Sequence, residues 1–183
     1  MDVNVIFEAG YDEALEGLAL SYATPGSTFD RERMEKVAHR LAHRDGGHNK
    51  FLESIVVWVD ITAPRKWWSQ MDTYRVDVTK QSESTMHTLA KHPPMRSQFD
   101  DDTPWGTFAL FWCQWWLLRG NINRLKSALP EGFMQRRRCR ISYKTLRHIV
   151  MQRKWHRLSG WDSFIHQITV QIERPKLITK GWV

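Results

Sequence analysis

The chain has 183 residues, of which 42% are hydrophobic and 26% are charged, and its formal net charge is +7. This mixture is typical of a globular protein with a real core, and it excludes a disordered tail, a collagen-like chain and a disulfide scaffold. The basic surplus favours an anionic partner, which is a nucleic acid, a phosphorylated small molecule or a membrane surface.

The charge is unevenly distributed along the chain. Residues 1–30 contain six acids and no Lys or Arg, whereas residues 131–157 contain nine Lys and Arg against one acid, a local charge of +8. All nine bases lie within residues 136–157, which we call the basic segment. This segment alone accounts for the surplus of the whole chain.

The patterns in the first half of the chain predict short strands between helices. In chain order they predict a strand over 3–7, a helix over 12–22 capped by Asp12, a helix from Asp30 to about His43, a strand over 51–62 and a helix that begins at Pro64. Residues 77–88 have no clear period and are interpreted as a loop.

The second half of the chain is mainly helical in pattern. Residues 92–95 and 100–104 are expected to be irregular, and helices are expected over 105–126, 142–156 and 160–171. Excess helices beside a few strands predict an α+β fold. We expect one domain that spans residues 1–183.

The sequence contains neither a disulfide pattern nor a membrane span. Cys113 and Cys139 form no C-x-x-C pair, and the N-terminus lacks the features of a signal peptide. The most apolar run, residues 108–118, is about half as long as a membrane-spanning helix, so we interpret it as a buried helix. We therefore expect a cytoplasmic protein that does not contact a membrane.

Two short motifs allow more than one interpretation. His39 and His43 are spaced to share one helix face, with His48 close behind, but no H-E-x-x-H motif is present, so solvated histidines are favoured over a metal site. Residues 136–140 are compatible with a nucleic-acid contact, a solvated strand or the wall of a phosphate pocket.

Two longer stretches resemble the flavin-dependent thymidylate synthases. Residues 47–86, from Gly47-His48 onwards, can be laid without a gap on that family's G-H-x-S-x-x-E-H, R-H-R and S-x-N-E-x-S-x-R-Y motifs. Leu129-Pro130 looks like the family's L-P turn, and residues 142–153 look like its N-A-R-S-L-x-N-F-L-x-L-R helix. Trp161-Asp162 is similar to the family's Q-W-E.

The resemblance implies both a fold and an activity. The fold is α+β, an antiparallel sheet with several helices, as in the thymidylate synthase complementing proteins. The activity is one-carbon transfer, methylation or hydroxymethylation, to a uracil-type deoxynucleotide such as dUMP. FAD is the implied cofactor, NADPH and methylenetetrahydrofolate are implied co-substrates, and the implied assembly is a homotetramer with active sites shared between subunits.

The resemblance also assigns site residues, one position at a time. The implied nucleotide contacts are Gln70, Arg75, Gln81, Glu83, Arg147 and Arg153. The implied flavin contacts are His48, Glu53, Tyr74, Arg75, Lys144 and His148. No residue is assigned a catalytic role, because the cofactors carry the chemistry in this family.

Several positions depart from the family pattern. R-H-R is Thr73-Tyr74-Arg75 here, the active-site serine is Glu83 and the signature arginine is Thr85. A threonine cannot replace a guanidinium on a phosphate, and Glu83 adds a negative charge where the family binds an anion. Compensating charges are hypothesised among Arg136, Arg137, Arg138, Lys144 and Arg147.

These departures keep two other functions open. The first is a non-catalytic protein that binds or sequesters a nucleotide on the same fold. The second is a nucleic-acid-binding protein that uses the basic segment, residues 136–157, with binding that weakens steeply as salt rises.

Overall fold

The structure is a computed structural model that describes residues 1–100 and 104–179. Within these residues it contains eight α-helices and one four-stranded antiparallel sheet, so the predicted α+β class is confirmed. In chain order the elements are β1 (Asp2–Ala9), α1 (Tyr11–Ala19), α2 (Arg31–Leu41), β2 (Val56–Pro64), α3 (Arg65–Met71), β3 (Val78–Ser82), α4 (Thr85–Lys91), α5 (Pro104–Leu118), α6 (Ile122–Ala128), β4 (Met134–Ser142), α7 (Tyr143–Arg153) and α8 (Gly160–Gln171).

The sheet has the strand order β1-β2-β4-β3, and one of its faces carries the main core. Val57, Val59 and Ile61 alternate along β2 and are fully buried, as the period-2 pattern predicts. Helices α3, α7 and α8 cover that face, and their largest buried side chains include Trp67 and Trp161. The opposite face is polar and carries paired residues such as Asp60 and Arg138.

A smaller core lies between α4, α5, α6 and the turn that precedes β4. Its buried members are Leu89, Phe99, Cys113, Leu125, Leu129 and Phe133. The rings of Phe99 and Phe133 meet edge to face, with centroids 5.7 Å apart, where the two backbones also form an isolated bridge.

The interpretation of residues 77–88 as a loop was wrong. Residues 78–82 form the edge strand β3, which pairs with β4, and Thr85–Lys91 forms α4. The Lys80 side chain is drawn inwards, where its Nζ donates hydrogen bonds to the carbonyl oxygens of Met71 and Tyr74 at 2.9 and 2.8 Å. Residues 78–82 therefore form a strand because they pair with β4, which is distant in sequence, and this pairing leaves no hydrophobic period within the segment itself.

The long helix predicted over 105–126 is two helices. Gly120 adopts φ +65° after Leu118 and ends α5, and the Asn121 side chain accepts a hydrogen bond from the Arg124 N–H at 3.0 Å at the start of α6. Burial of this run was also predicted, and it holds for one side of α5 only, where Cys113 lies in the smaller core. The exposed large apolar side chains of α5, which we call the α5 face, are Trp105, Phe108, Phe111, Trp112, Trp115 and Leu118.

Other boundaries differ by a few residues. Helix α1 begins at Tyr11 and not at Asp12, because Gly10 turns the chain at φ +90°. A Cβ at Gly10 would lie 2.1 Å from the Ser54 carbonyl oxygen, so only glycine fits this turn. Strand β2 begins at Val56, since Lys50–Glu53 form a 3-10 turn. Asp30 caps α2 as predicted, accepting from the Arg33 N–H at 3.0 Å. Residues 101–103 of the stretch expected to be irregular lie outside the described residues.

Candidate functional site

A cavity of about 410 Å³ opens between the loop after α2, the loop after α3 and the first turns of α7. This volume is within the range of small-molecule sites. The cavity lining includes six of the residues that the resemblance assigned: Glu53, Tyr74, Arg75, Lys144, Arg147 and His148. They come from distant parts of the chain, and the fold brings them to one place.

Hydrogen bonds around the start of α7 hold the cavity walls together. The Ser142 hydroxyl caps the helix by accepting from the Thr145 N–H at 3.3 Å. The Tyr143 N–H donates to the Ile55 carbonyl at 2.8 Å, and the Thr145 hydroxyl donates to the Val76 carbonyl at 2.9 Å. The helix is thereby tied both to β2 and to the loop after α3.

The charged groups of the cavity are largely paired with one another. Lys144 forms an ion pair with Glu53, and Arg147 Nη1 lies 3.2 Å from Asp45 Oδ1. The Arg75 side chain is exposed and forms no ion pair within residues 1–100 and 104–179. Arg75 is therefore the cation most available to an incoming anion.

Arg147 carries a buried donor without a partner. Its side chain is 12% exposed, and its buried Nε makes no hydrogen bond to any described residue. An unsatisfied buried donor costs stability, on the order of 1–3 kcal/mol. Because this nitrogen is closed to solvent, a ligand in the cavity does not reach it in this arrangement, although Arg147 contributes to the cavity lining.

An aromatic wall closes one side of the cavity. Tyr74 is buried, and its ring meets that of His148 edge to face with centroids 6.0 Å apart. The Tyr74 hydroxyl donates to Gln152 Oε1 at 3.0 Å and accepts from Arg153 Nε at 2.8 Å. The hydroxyl proton and one of the two lone pairs are thus engaged by residues that do not line the cavity, and these bonds hold the ring in place.

Gln70 and Arg153 lie behind this wall and do not line the cavity. Gln70 Oε1 accepts from the Trp161 indole N–H at 2.7 Å and from Arg153 Nη1 at 3.4 Å. The Arg153 guanidinium stacks 4.8 Å from the Trp161 ring centroid and 5.4 Å from that of Tyr74. We call Gln70, Tyr74, Arg153 and Trp161 the arginine cluster. The Q-W-E resemblance signalled Trp161, although the sequence assigned it no role.

The remaining assigned residues lie elsewhere. His48 lines an adjoining cavity of about 530 Å³ beside α1, and that cavity shares Gly47 and Glu53 with the first. Gln81 and Glu83 line a shallow cavity of about 370 Å³ beside β3 and β4. The Glu83 carboxylate accepts from the Arg136 N–H at 3.1 Å, so it extends the pairing of the two strands.

The basic segment is divided among different surfaces. At least four of its nine bases form ion pairs with other described residues: Arg137 with Asp72, Arg138 with Asp60, Lys144 with Glu53, and Arg147 with Asp45. Hydrogen bonds from Arg138 at 2.7 and 2.8 Å hold the pKa of the Asp60 carboxyl below its usual range. The local charge of the sequence is therefore partly neutralised on folding.

Neither cysteine has the features of a nucleophile. Burial raises the pKa of the Cys113 thiol to about 11 and that of Cys139 to about 12. Within the described residues, no cluster of three or more His, Cys, Asp and Glu side chains suited to a metal ion is present. No helix formed by those residues has the length and apolarity that crossing a membrane requires.

Solved structures with the same fold include a flavin-dependent thymidylate synthase. Two structures of the flavin-dependent thymidylate synthase ThyX from Helicobacter pylori, both with FAD and dUMP, superpose with TM-scores of 0.84 and 0.76 at 14% and 15% identity. The first match covers 100% of both chains, and the second covers 96% of this chain and 95% of that one.

A more distant structure is the UMP/dUMP methylase PolB from Streptomyces cacaoi, bound with 5-Br UMP. It superposes with a TM-score of 0.58 at 13% identity, over 81% of this chain and 74% of that one. No protein-family model matches the sequence, and no curated protein matches it either. The resemblance drawn from the motifs is thus confirmed as a likeness of fold: this chain folds as the flavin-dependent thymidylate synthases do.

Proposed function

We propose that this protein is a divergent flavin-dependent enzyme of the thymidylate synthase type. It transfers a one-carbon unit, by methylation or hydroxymethylation, to a uracil-type deoxynucleotide. FAD is the cofactor, and NADPH and methylenetetrahydrofolate are the co-substrates. Both described cysteines are buried free thiols, which agrees with a reducing compartment, and we place the protein in the cytoplasm.

One observation carries the proposal. Two motif stretches, residues 47–86 and residues 142–153, supply flavin contacts by resemblance, and side chains from both line the same cavity. Glu53, Tyr74 and Arg75 come from the first stretch, and Lys144 and His148 come from the second. Agreement between motif order and three-dimensional position favours a retained cofactor site over an inherited scaffold alone.

The residues of the cavity fit a flavin better than they fit a highly charged ligand. Tyr74 and His148 present aromatic surface, and Arg147 contributes a guanidinium to the cavity lining. Lys144 and Arg147 are already neutralised by carboxylates, so Arg75 is left to hold a phosphate at the cavity mouth. A bound flavin supplies hydride transfer, while these residues hold it, orient it and exclude water.

Optical absorbance tests the cofactor assignment. The purified protein is expected to be yellow, or to become so on addition of FAD, with the absorbance of a bound flavin. Arg147→Met should weaken FAD binding several-fold because it removes a charged donor, and Arg44→Met, an exposed arginine near the cavity, is the matched control. A colourless protein that does not take up FAD would refute the assignment.

A second candidate function rests on the arginine cluster. Gln70 and Arg153, which the resemblance assigned to the nucleotide, are hydrogen-bonded to each other and to Trp161. A protein that binds a nucleotide without converting it does not need Gln70 and Arg153 to contact that nucleotide as the family's residues do. The binding function predicts that a nucleotide stabilises the protein, and that the protein takes up no flavin and forms no product. The enzyme function predicts flavin uptake and product formation.

We also propose that the protein assembles as a homotetramer through the α5 face. Leu118 and Trp105 on this face are 85% and 74% exposed, and four further large apolar side chains lie on the same helix. Contiguous exposed apolar surface of this kind marks a protein interface more often than a free surface. The sites of the tetramer would then combine the cavity described above with groups from a neighbouring copy.

A further inference from the structure

Residues 73–77, five consecutive residues after α3, line the cavity, and we call them the cavity loop. The start of α7 holds the end of this loop, because the Thr145 hydroxyl donates a hydrogen bond to the Val76 carbonyl at 2.9 Å. Arg75 precedes that attachment and belongs to the first half of the loop. The first half is held from another element of the fold.

Lys80 of β3 holds the beginning of the cavity loop. Its side chain is 14% exposed and lies on the helix-covered face of the sheet, opposite the buried Cys139 of β4. Its Nζ donates to the carbonyl oxygens of Met71 and Tyr74 at 2.9 and 2.8 Å, and it lies 3.3 Å from Asp72 Oδ1. An ammonium has three donors, so these contacts use all of them. The Lys80 ammonium is therefore fully engaged within the protein and does not itself meet a ligand.

The hydrogen bond to the Tyr74 carbonyl acts directly on Arg75. That carbonyl and the Arg75 N–H belong to the same planar peptide unit, so Lys80 fixes the orientation of the backbone that leads into Arg75. Among the described residues, none forms an ion pair or a hydrogen bond with the Arg75 side chain. The backbone is therefore what directs this guanidinium towards the cavity.

Asp72 keeps the Lys80 ammonium in place. Its carboxylate also accepts from Arg137 Nη1 at 2.9 and 3.0 Å, and the Arg137 guanidinium stacks 4.3 Å from the Trp68 ring centroid. One carboxylate thus serves two largely buried cations. If the lysine is removed, Asp72 is still paired with Arg137, so the loss of Lys80 leaves no unpaired charge inside the protein.

Lys80 is a departure from the family pattern. It stands where the S-x-N-E motif has an asparagine, and the lysine side chain is both longer and charged. Thr73 stands at the first arginine of R-H-R. The cavity loop thus has one cation fewer than the pattern, a new cation lies behind the loop, and Arg75 is the exposed cation that remains.

We propose that Lys80 is a positioning residue that holds Arg75 at the cavity mouth, where the guanidinium takes the phosphate of the proposed ligand. This inference rests on the proposed function and adds to it a residue that does not touch the ligand. An arginine whose backbone is already ordered loses less freedom when it meets a phosphate, so the ordering strengthens binding.

A double-mutant cycle between Lys80 and Arg75 tests the proposal. FAD and dUMP are the phosphate-bearing probes, and calorimetry gives their dissociation constants for the wild type, Lys80→Met, Arg75→Met and the double variant. Lys80→Met should bind a probe about tenfold more weakly, because a displaced guanidinium loses a charge-assisted hydrogen bond. In the Arg75→Met background the same substitution should change the affinity by no more than about twofold, since the lysine acts through the arginine.

Hydrogen exchange of the ligand-free protein supplies a readout that does not depend on a ligand. Lys80→Met should speed the exchange of amides within residues 72–77. Gln171→Met is the matched control, because Gln171 also bonds to backbone, donating to the Val3 carbonyl at 2.7 Å and accepting from the Val5 N–H at 2.9 Å, and it lines none of the cavities described above. This control should lower the melting temperature while exchange in residues 72–77 and the affinity for both probes stay unchanged.

The outcomes separate this inference from the proposed function. Unchanged exchange in residues 72–77 would overturn the proposal, and so would an equal loss of affinity with and without the Arg75 side chain. If exchange rises and the cycle shows coupling with dUMP while the wild type takes up no FAD, the positioning role stands and the flavin assignment fails. If the wild type binds neither probe, both fail, and Lys80 is a structural residue only.

Discussion

The arginine cluster makes a prediction that separates a structural role of Arg153 from direct nucleotide contact. Arg153 donates to Tyr74 at 2.8 Å and to Gln70 at 3.4 Å, and it stacks on Trp161. Arg153→Lys keeps the positive charge but loses the planar fork that makes these contacts together. The lysine ammonium would suffice to hold a phosphate loosely, whereas the contacts of the arginine cluster need the planar guanidinium.

The size of the effect follows from the lost contacts. Two hydrogen bonds from a partly buried guanidinium contribute about 1 kcal/mol each, and the weakened stacking adds a fraction of that, so the substitution should cost about 2 kcal/mol. In a protein of this size, 1 kcal/mol shifts the melting temperature by about 2–4 °C. We therefore expect Arg153→Lys to melt about 4–8 °C below the wild type.

Thermal melting and urea unfolding measure this loss. Arg157→Lys is the matched control, because Arg157 is exposed and forms no hydrogen bond or ion pair within the described part of the chain. It should melt within about 1 °C of the wild type, as expected for an isolated surface charge. If Arg153→Lys melts like this control yet binds nucleotides much more weakly, Arg153 contacts the ligand and the structural interpretation is refuted.

Three other predictions address the interface, a thiol and an ion pair. Phe111→Glu on the α5 face should dissociate the proposed tetramer in size-exclusion chromatography, whereas Val170→Glu, at an exposed position of α8, should not. A tetramer that tolerates both would locate the interface elsewhere. Cys139 should not react with a thiol reagent at pH 8 until urea unfolds the chain, because burial raises its pKa to about 12. Hydrogen bonds from Arg138 lower the Asp60 pKa, so Asp60→Asn should cost up to about 1 kcal/mol in urea unfolding at pH 7. That cost should begin to decline as the pH falls below about 4, where the unfolded carboxyl is protonated, and it should be lost as the pH falls through the lower pKa of folded Asp60. A cost independent of pH would count against the pairing.

The sequence predicted those elements whose signals are local. The alternation of Val57, Val59 and Ile61 indicated β2, and Asp30 indicated the start of α2, because periodicity and capping act over a few residues. It did not predict β3, since that strand depends on pairing with β4, about 60 residues later in the chain. The exposure of the α5 face was not predicted. Apolar residues on all sides of a helix indicate that the helix is covered, but they do not indicate whether the same chain or another molecule covers it.

The structure brings only some of the predicted site residues together. Glu53, Tyr74, Arg75, Lys144 and His148, which the motif register assigned to a flavin, line one cavity, and their role there stays a prediction. The motif register did not show that Lys144 is neutralised by Glu53, or that Gln70 faces Trp161. Each of these pairings joins segments that are far apart in sequence, so the residues around either partner give no sign of it.

The departures from the family pattern are physically linked in the structure. Where the family pattern has R-H-R, this chain has Thr73-Tyr74-Arg75. The Tyr74 hydroxyl accepts a hydrogen bond from Arg153 Nε at 2.8 Å, and this contact needs an oxygen at the far end of the ring. Replacing the histidine therefore provides Arg153 with a partner inside the protein. Thr73 at the first arginine position and the inward position of Arg153 both reduce the charge available to the proposed nucleotide phosphate, and Arg75 is the exposed cation of this motif.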